Sequence, residues 1–360
     1  MINVYVLNPN DLSIMGIIEG YVSLIWRPAY YDIGDFELYM GATKQITELL
    51  KKDVYLVRDI DVSVVGGVVT YRNVMIVKNI DLITDIEDGD FLNVTGRELK
   101  FLLHSRIVWN QTNLYGNVEN ALRTLVNSNA INPTNPNRII PNMALDKLAG
   151  ISDTLSIQIT GDYLDESIVS ICTNYYIGWE IYISSGKLLV RFYKGEDRSY
   201  GQSQNPYVVF SDSFDNLFNT EYQLHTEEYA NCTLIGGEGE GTQRIYTTIG
   251  NEYSGLNRFE HFTDARDSSQ NKDSDEAISD SDYLALLVER GYEALAELAI
   301  TEGFSGEVKS EGAFVYGTDF FIGDTVTVIN KYGIQRNVSV LSAIESTDEN
   351  GTKLIPQFNI

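Results

Sequence analysis

A chain of 360 residues is long enough for two or three compact units, each with its own core. Hydrophobic residues at 43% and aromatic residues at 11% exclude a largely disordered chain. Asp and Glu number 51 against 26 Lys and Arg, and the formal net charge of -25 excludes stable contact with nucleic-acid backbone or anionic lipid.

The opening residues Met1 to Leu7 lack a basic segment followed by a long apolar run, so they read as a first β-strand and not as a signal peptide. No apolar run approaches the roughly 20 residues needed to cross a bilayer, so no membrane-spanning segment is expected and the chain reads as soluble and made in a cytosol. From Ile2 to Gly96, short alternating segments separated by turn signals predict an antiparallel sheet curling towards a barrel. Val4, Val6, Val22, Leu24 and Trp26 are set to line one face, and Phe36, Leu38, Val54, Val74, Ile76 and Ile80 continue it around a turn at Gly66-Gly67. A short helix interrupts this unit, with Thr43 as its N-cap and Ile46, Leu49 and Leu50 on one side. Lys51-Lys52, the one notable basic pair in the chain, falls at its end.

After Gly96 the period changes: Leu99, Leu102 and Leu103 have helical spacing and place a boundary near residue 105. A helix capped by Asn117 follows, then a loop from Asn132 to Pro141 that its prolines keep out of helix. A second helix starts after Asp162, and a hairpin from Trp179 to Phe192 turns at Ser184-Ser185-Gly186. Strands resume at Tyr207 to Phe210, Glu221 to His225, Cys232 to Ile235 and Arg244 to Ile249. The polar stretch Asp264 to Asp282 predicts an exposed loop, mobile from Ser268 to Asp280. The strongest helix follows, with Leu284, Leu287, Val288, Leu295 and Leu298 in a stripe and Gly303 as its stop. Gly306 to Ile360 alternates again, as another antiparallel set.

This order predicts a mainly β chain of the α+β class. Residues 1–104 with 200–230 form a first β-barrel-like unit, 105–199 an inserted mixed α/β domain, and 231–360 a second β-barrel-like unit with a helix near 281–302.

No residue set points to catalysis. His104, His225 and His261 have no metal-ligand or catalytic spacing, and His104 reads as a helix-end residue. Cys172 and Cys232 stand far apart without a CxxC pattern and read as small buried apolar residues. The run Gly236 to Gly241 superficially resembles a phosphate cradle, but Glu238 and Glu240 would repel phosphate, so a turn or bulge is expected. Asp264, Asp267, Asp273 and Asp275 could offer oxygen ligands to calcium, yet their spacing departs from the EF-hand loop, and a solvated acidic loop is the reading. Tyr30-Tyr31, Tyr175-Tyr176 and Trp179 could stack sugars, or could serve strands and subunit interfaces. No catalytic, cofactor-binding or metal-ligating residue is therefore assigned, and no cofactor is expected.

Several phrases are familiar in combination: Trp26-Arg-Pro-Ala-Tyr-Tyr31, Gly34-Asp-Phe-Glu-Leu38, and Val94-Thr-Gly-Arg-Glu-Leu99 with Leu102-Leu103 and Arg106-Ile107. They continue in Gly236 to Gly241 with Arg244, Arg258-Phe-Glu260 with Asp264-Ala-Arg-Asp267, and Tyr316 to Val326 with Gly323-Asp324. Together they resemble the siphophage tail-hub family, the N-terminal structural region of tail-associated lysins and fibre proteins, with Phe320 standing where that pattern has tyrosine. The resemblance implies two related β-barrels with inserted domains, like the baseplate hub of contractile tails, and three copies closing a ring. It implies a structural, non-enzymatic protein at the virion tail tip, made in the host bacterial cytoplasm and capping the tail tube. Its partners would be the distal tail protein, the tape-measure protein and receptor-binding or fibre proteins, with DNA passing without specific binding. The chain stops at Ile360, so a C-terminal hydrolase of the kind some members carry is not expected. A carbohydrate-binding tail module is the alternative, which saturable binding by the monomer would mark, and a glycan-degrading enzyme would show turnover.

Overall fold

In a computed structural model, the protein is described over residues 2–87, 89–270, 278–308 and 312–359. Most strands belong to one 13-stranded sheet that curls twice around separate cores. The first curl runs in the order Ser23–Arg27, Asp35–Gly41, Gly89–Glu98, Met75–Asp85, Tyr55–Arg58, Val4–Leu7 and Ile14–Ile18. Strict alternation explains its packing: along Asp35–Gly41, Phe36, Leu38 and Met40 point inwards while Glu37 and Gly41 face out. Helix α1, Lys44–Leu49, is capped as expected by the Thr43 hydroxyl, which accepts from the Ile46 N–H at 3.2 Å.

In the second curl Gln335–Asp348 pairs with Gly351–Asn359, followed in order by Thr301–Val308 and Leu217–His225, and also with Thr325–Ile329, which takes the parallel strand Val209–Ser211. The two curls fuse where Leu24, Ile25 and Trp26 pair with Thr347, Ser346 and Glu345. Among the described residues the sheet ends openly at Ile14–Ile18 and Leu217–His225, and neither curl closes there into a hydrogen-bonded barrel. The ladder also corrects the expected grouping of 200–230 with 1–104. Strands Val209–Ser211 and Leu217–His225 pair with C-terminal strands, because Phe210 and Leu217 bury into the second core.

Between the curls lies a mixed α/β region. Helix α2, Val118–Val126, is capped by Asn117 as predicted, and α3, Leu164–Asn174, packs beside it. The hairpin Gly178–Ser184 and Lys187–Tyr193 turns through Ser185 and Gly186, both at positive φ. This sheet is not self-contained: the hairpin Val62–Val65 and Val68–Tyr71, from the first hundred residues, joins it through Thr70 and Tyr71.

A smaller three-stranded sheet, Tyr246–Ile249, Cys232–Gly236 and Glu260–Asp264, carries helix α4, Asp280–Glu297. This helix ends before the predicted stop, because Thr301–Val308 is already a strand and Gly303 pairs with Gln223 and Asn359. The expected mobile loop is corrected at its start: Ser268 and Gln270 are buried, and Gln270 donates its N–H to Glu238 and its side-chain amide to Asp280. Residues 271–277 of that loop, Asp273 and Asp275 among them, lie outside the described residues.

Candidate functional site

The familiar N-terminal phrases converge on the joint between the two curls and the α/β region. Trp26 is buried there, its indole N–H donating to the Asn73 carbonyl at 3.0 Å. The Arg58 guanidinium lies over its ring and bridges Asp61 at 2.6 Å to Glu345 at 2.8 Å, tying the first curl to the second. Burial works against this cation, but the two carboxylates win and raise its pKa.

Tyr30 plugs the centre of the joint. Its hydroxyl accepts from the Gly195 N–H at 3.1 Å and donates to the Tyr176 carbonyl at 3.2 Å. A Cβ at Gly178 would lie 2.1 Å from its ring and one at Gly323 2.3 Å away, so both positions need glycine to let the ring in. Gly323, also at positive φ, precedes Asp324, whose carboxylate accepts from the N–H groups of Glu196 and Phe321 and from Arg198. The Gly323-Asp324 phrase thus joins the second curl to the segment leaving the α/β region.

Beneath Tyr30, Lys100 is fully buried. Its ammonium donates to the carbonyls of Ala29 and Asp32, each at 2.6 Å, and meets Glu98 at 3.2 Å, which uses all three of its protons. Glu98 in turn accepts from the Gly34 N–H at 3.0 Å, and burial pushes its pKa up against the pull of Lys100. Trp179 lies 5.3 Å from the Lys100 cation and donates to the Tyr31 carbonyl. Around these residues opens a cleft of about 390 Å³ whose other charges are also matched: Arg72 and Arg191 on Glu180, and Arg198 on Asp324. Each of these side chains is engaged by another part of the chain, the arrangement of a lock between units.

The remaining candidates do not gather there. His104, in a 3-10 turn at Leu99–Ser105, stacks between Phe101 and Tyr163 and meets Asp165 at 3.1 Å. Burial raises the Asp165 pKa, offset by His104. Sequence reading missed this pair because 61 residues separate its members. His225 and His261 sit on exposed positions of strands in two different sheets. Cys172 and Cys232 are free and buried, and burial pushes the Cys172 thiol well up. At Gly236 and Gly237 the space a Cβ would take is filled by Arg244 and by Tyr283 with Leu287, not left open for an anion. Asp264 is clamped by Arg266 and Arg244, whose hydrogen bonds bring its pKa down to about 2, and Asp267 pairs with Arg290. Among the described residues no group of three or more His, Cys, Asp or Glu could hold a metal ion. The proposed sugar platform is also dispersed: Tyr30 and Trp179 are buried in the joint, and Tyr175 donates to Glu289.

Comparison with known proteins accounts for this architecture. The family described as Siphovirus ReqiPepy6 Gp37-like protein matches residues 3–358. The chain belongs to that family. The siphophage tail resemblance read from the sequence therefore holds. Among solved structures, a tail protein from Neisseria meningitidis MC58 aligns with TM-score 0.60 at 15% identity, covering 100% of this chain and 96% of that one. The 43 kDa tail protein of prophage MuSo2 from Shewanella oneidensis gives 0.56 at 14%, covering 99% and 97%. Prophage tail protein gp18 from Listeria monocytogenes EGD-e gives 0.53 at 10%, covering 99% and 94%. At these identities the likeness is one of fold. No curated protein sequence matches the chain. Among the described residues no helix is long and apolar enough to cross a membrane.

Proposed function

We propose that this tail protein is the structural hub at the tail tip, a homotrimeric ring that caps the tube and joins it to the distal tail ring and the receptor-binding apparatus. One observation carries the reading: a single sheet curled twice, continuous through the Trp26 to Glu345 ladder and locked to the mixed α/β region by Tyr30, Lys100 and Arg58. A rigid double curl suits a ring whose copies must hold a fixed bore while DNA passes. In this reading each curl serves as a barrel-like hub unit. The first comprises residues 1–104, the insertion 105–199, and the second takes 200–230 together with 231–360. The excess of 51 acidic over 26 basic residues favours an acidic channel wall to which DNA does not adhere. Its place is the virion tail tip, and its role is structural, without turnover.

Mass photometry of the purified chain over a salt series, with and without the distal tail protein, tests this reading. Trimers are expected to increase with salt as repulsion between like-charged copies is screened over a Debye length of about 8 Å at physiological ionic strength. Binding of the distal ring to the trimer alone should stabilise it further. Saturable glycan binding by a monomer that never assembles would favour the carbohydrate-binding alternative.

A further inference from the structure

Two apolar edges of the first curl have no strand beside them among the described residues. The first is a hairpin arm. Strand Tyr55–Arg58 pairs with Met75–Asp85 only at Ile76 and Met75, and the 53–54 backbone still bonds Val77. Beyond it, residues 78–85 have a neighbour only on the side of Gly89–Glu98. The arm leaves the core here, so that Leu82, Ile83 and Ile86 are 55%, 53% and 104% exposed, where alternation predicts one covered face. Asp81, Asp85, Glu87 and Asp90 make it acidic as well as aliphatic.

The second edge is the terminal strand Ile14–Ile18, with Ile14, Met15 and Ile17 each about half exposed. A Cβ at Gly16 of this strand would lie 2.9 Å from the Leu49 side chain of α1, and α1 is bracketed by exposed Lys44 at its start and Lys51 and Lys52 beyond its end. The ion pairs made by these lysines are loose, Lys52 to Asp53 at 3.9 Å and Lys44 to Glu48 at 4.0 Å, while Asp53 is held at 2.6 Å by Lys78. By contrast Arg58, Arg72, Arg198 and Arg244 are spent on internal carboxylates.

We infer that the hairpin arm of one copy docks along the Ile14–Ile18 edge of the next, its carboxylates against Lys44, Lys51 and Lys52. The inference rests on the hub reading and names the contact that builds its ring. A second copy is the occupant for three reasons. Lys44, Lys51 and Lys52 beside the second edge are opposite in charge to the carboxylates of the arm, although exposed Asp11 and Glu19 flank the same strand, in a chain whose -25 makes most of its surface repel itself. Each offers aliphatic side chains and unpaired strand backbone, the requirements for adding a strand across an interface. They are different patches of one chain, so each copy gives an arm and receives one, a head-to-tail contact of the kind that builds a ring when the rotation from copy to copy closes.

The test is zero-length carbodiimide coupling of purified tails, and of the assembled chain mixed from light and heavy nitrogen copies. Cross-links are expected between Lys51 or Lys52 of one copy and the 81–90 carboxylates of another. Lys51→Glu with Lys52→Glu, with its circular dichroism unchanged, should raise the concentration for half-assembly by roughly tenfold or more, as charge reversal at a contact does. Adding Asp85→Lys and Glu87→Lys to that chain should restore assembly. A wild-type chain that assembles while the reversed pair assembles equally well, with no such cross-links, overturns the docking and leaves the hub standing. Cross-links confined to single copies, or from the arm to another tail protein alone, overturn it too. A wild-type chain that is monomeric even in tails overturns both.

Discussion

Replacing Lys100 by Met removes the cation that meets Glu98 in the buried joint while keeping much of the side-chain volume. In the wild-type chain its ammonium saturates the Ala29 and Asp32 carbonyls and the Glu98 carboxylate. Without it Glu98, with a side chain 6% exposed, keeps only neutral donors such as the Gly34 N–H. Leaving one member of a buried pair uncompensated costs about 3–5 kcal/mol. The cost should depend on pH in a definite direction. Burial already raises the Glu98 pKa, so the folded chain takes up this proton more readily than the unfolded one. That contribution favours folding below the ordinary carboxylate pKa and is lost as pH rises through the folded value. Removing Lys100 raises the folded pKa further, and protonation then relieves the unpaired charge. Urea unfolding followed by tryptophan fluorescence, with Trp26 and Trp179 both in the joint, should therefore show the full loss at pH 8 and a smaller one at pH 5. The double change Lys100→Met with Glu98→Gln should lose less than Lys100→Met alone at pH 8. A loss below about 1 kcal/mol at pH 8, or one equal at both pH values, would refute the lock, since it would mean that Glu98 is solvated.

Gly178→Ala puts a methyl into the Tyr30 ring and should destabilise by about 1–3 kcal/mol in thermal unfolding, an overpacking cost that Tyr30→Leu relieves in the double variant. The Asp264 carboxyl should titrate near 2 by NMR, because Arg266 and Arg244 hold its charged form. Its depressed folded pKa contributes stability above the ordinary carboxylate value, and that contribution is lost as pH falls through about 2. Arg266→Ala together with Arg244→Ala should return the titration towards the usual carboxylate range. Assembly of the wild-type chain should strengthen between low and physiological ionic strength, and an assembly that weakens steadily with salt would show that attraction between copies outweighs their repulsion.

Local signals in the sequence were the most legible. Thr43 and Asn117 cap the helices they were expected to cap, and the Gly66-Gly67 and Ser185-Gly186 turns close the expected hairpins, because these depend on neighbours in the chain. The grouping of Val209–Ser211 and Leu217–His225 was not legible, since an alternating strand shows that one face is covered and not by which partner. Ile80 misled in the same way: it extends the apolar pattern of Val74 and Ile76 past the core into the arm, where Leu82 and Ile83 are exposed as well. Lys100 reads as solvent-facing by residue type, and only its place between Glu98, Leu99 and Phe101 hinted at burial. The N-terminal phrases and Gly323-Asp324 meet in the joint, where Trp26, Tyr30, Gly34, Glu98 and Gly323 come from strands remote in sequence, while the Gly236 to Gly241 and Arg258 to Asp267 phrases lie on the small sheet beside α4. Phe320, the departure from tyrosine, packs fully buried against Phe210 and Tyr316 in the second core.

Electron cryomicroscopy of purified tails tests the hub most directly. Three copies of the double curl around the tail axis at the tip, beneath the distal ring and with acidic side chains towards the bore, are the expected density. Tails whose tip lacks this chain, or in which it sits off the axis as a lone appendage, would contradict the assignment.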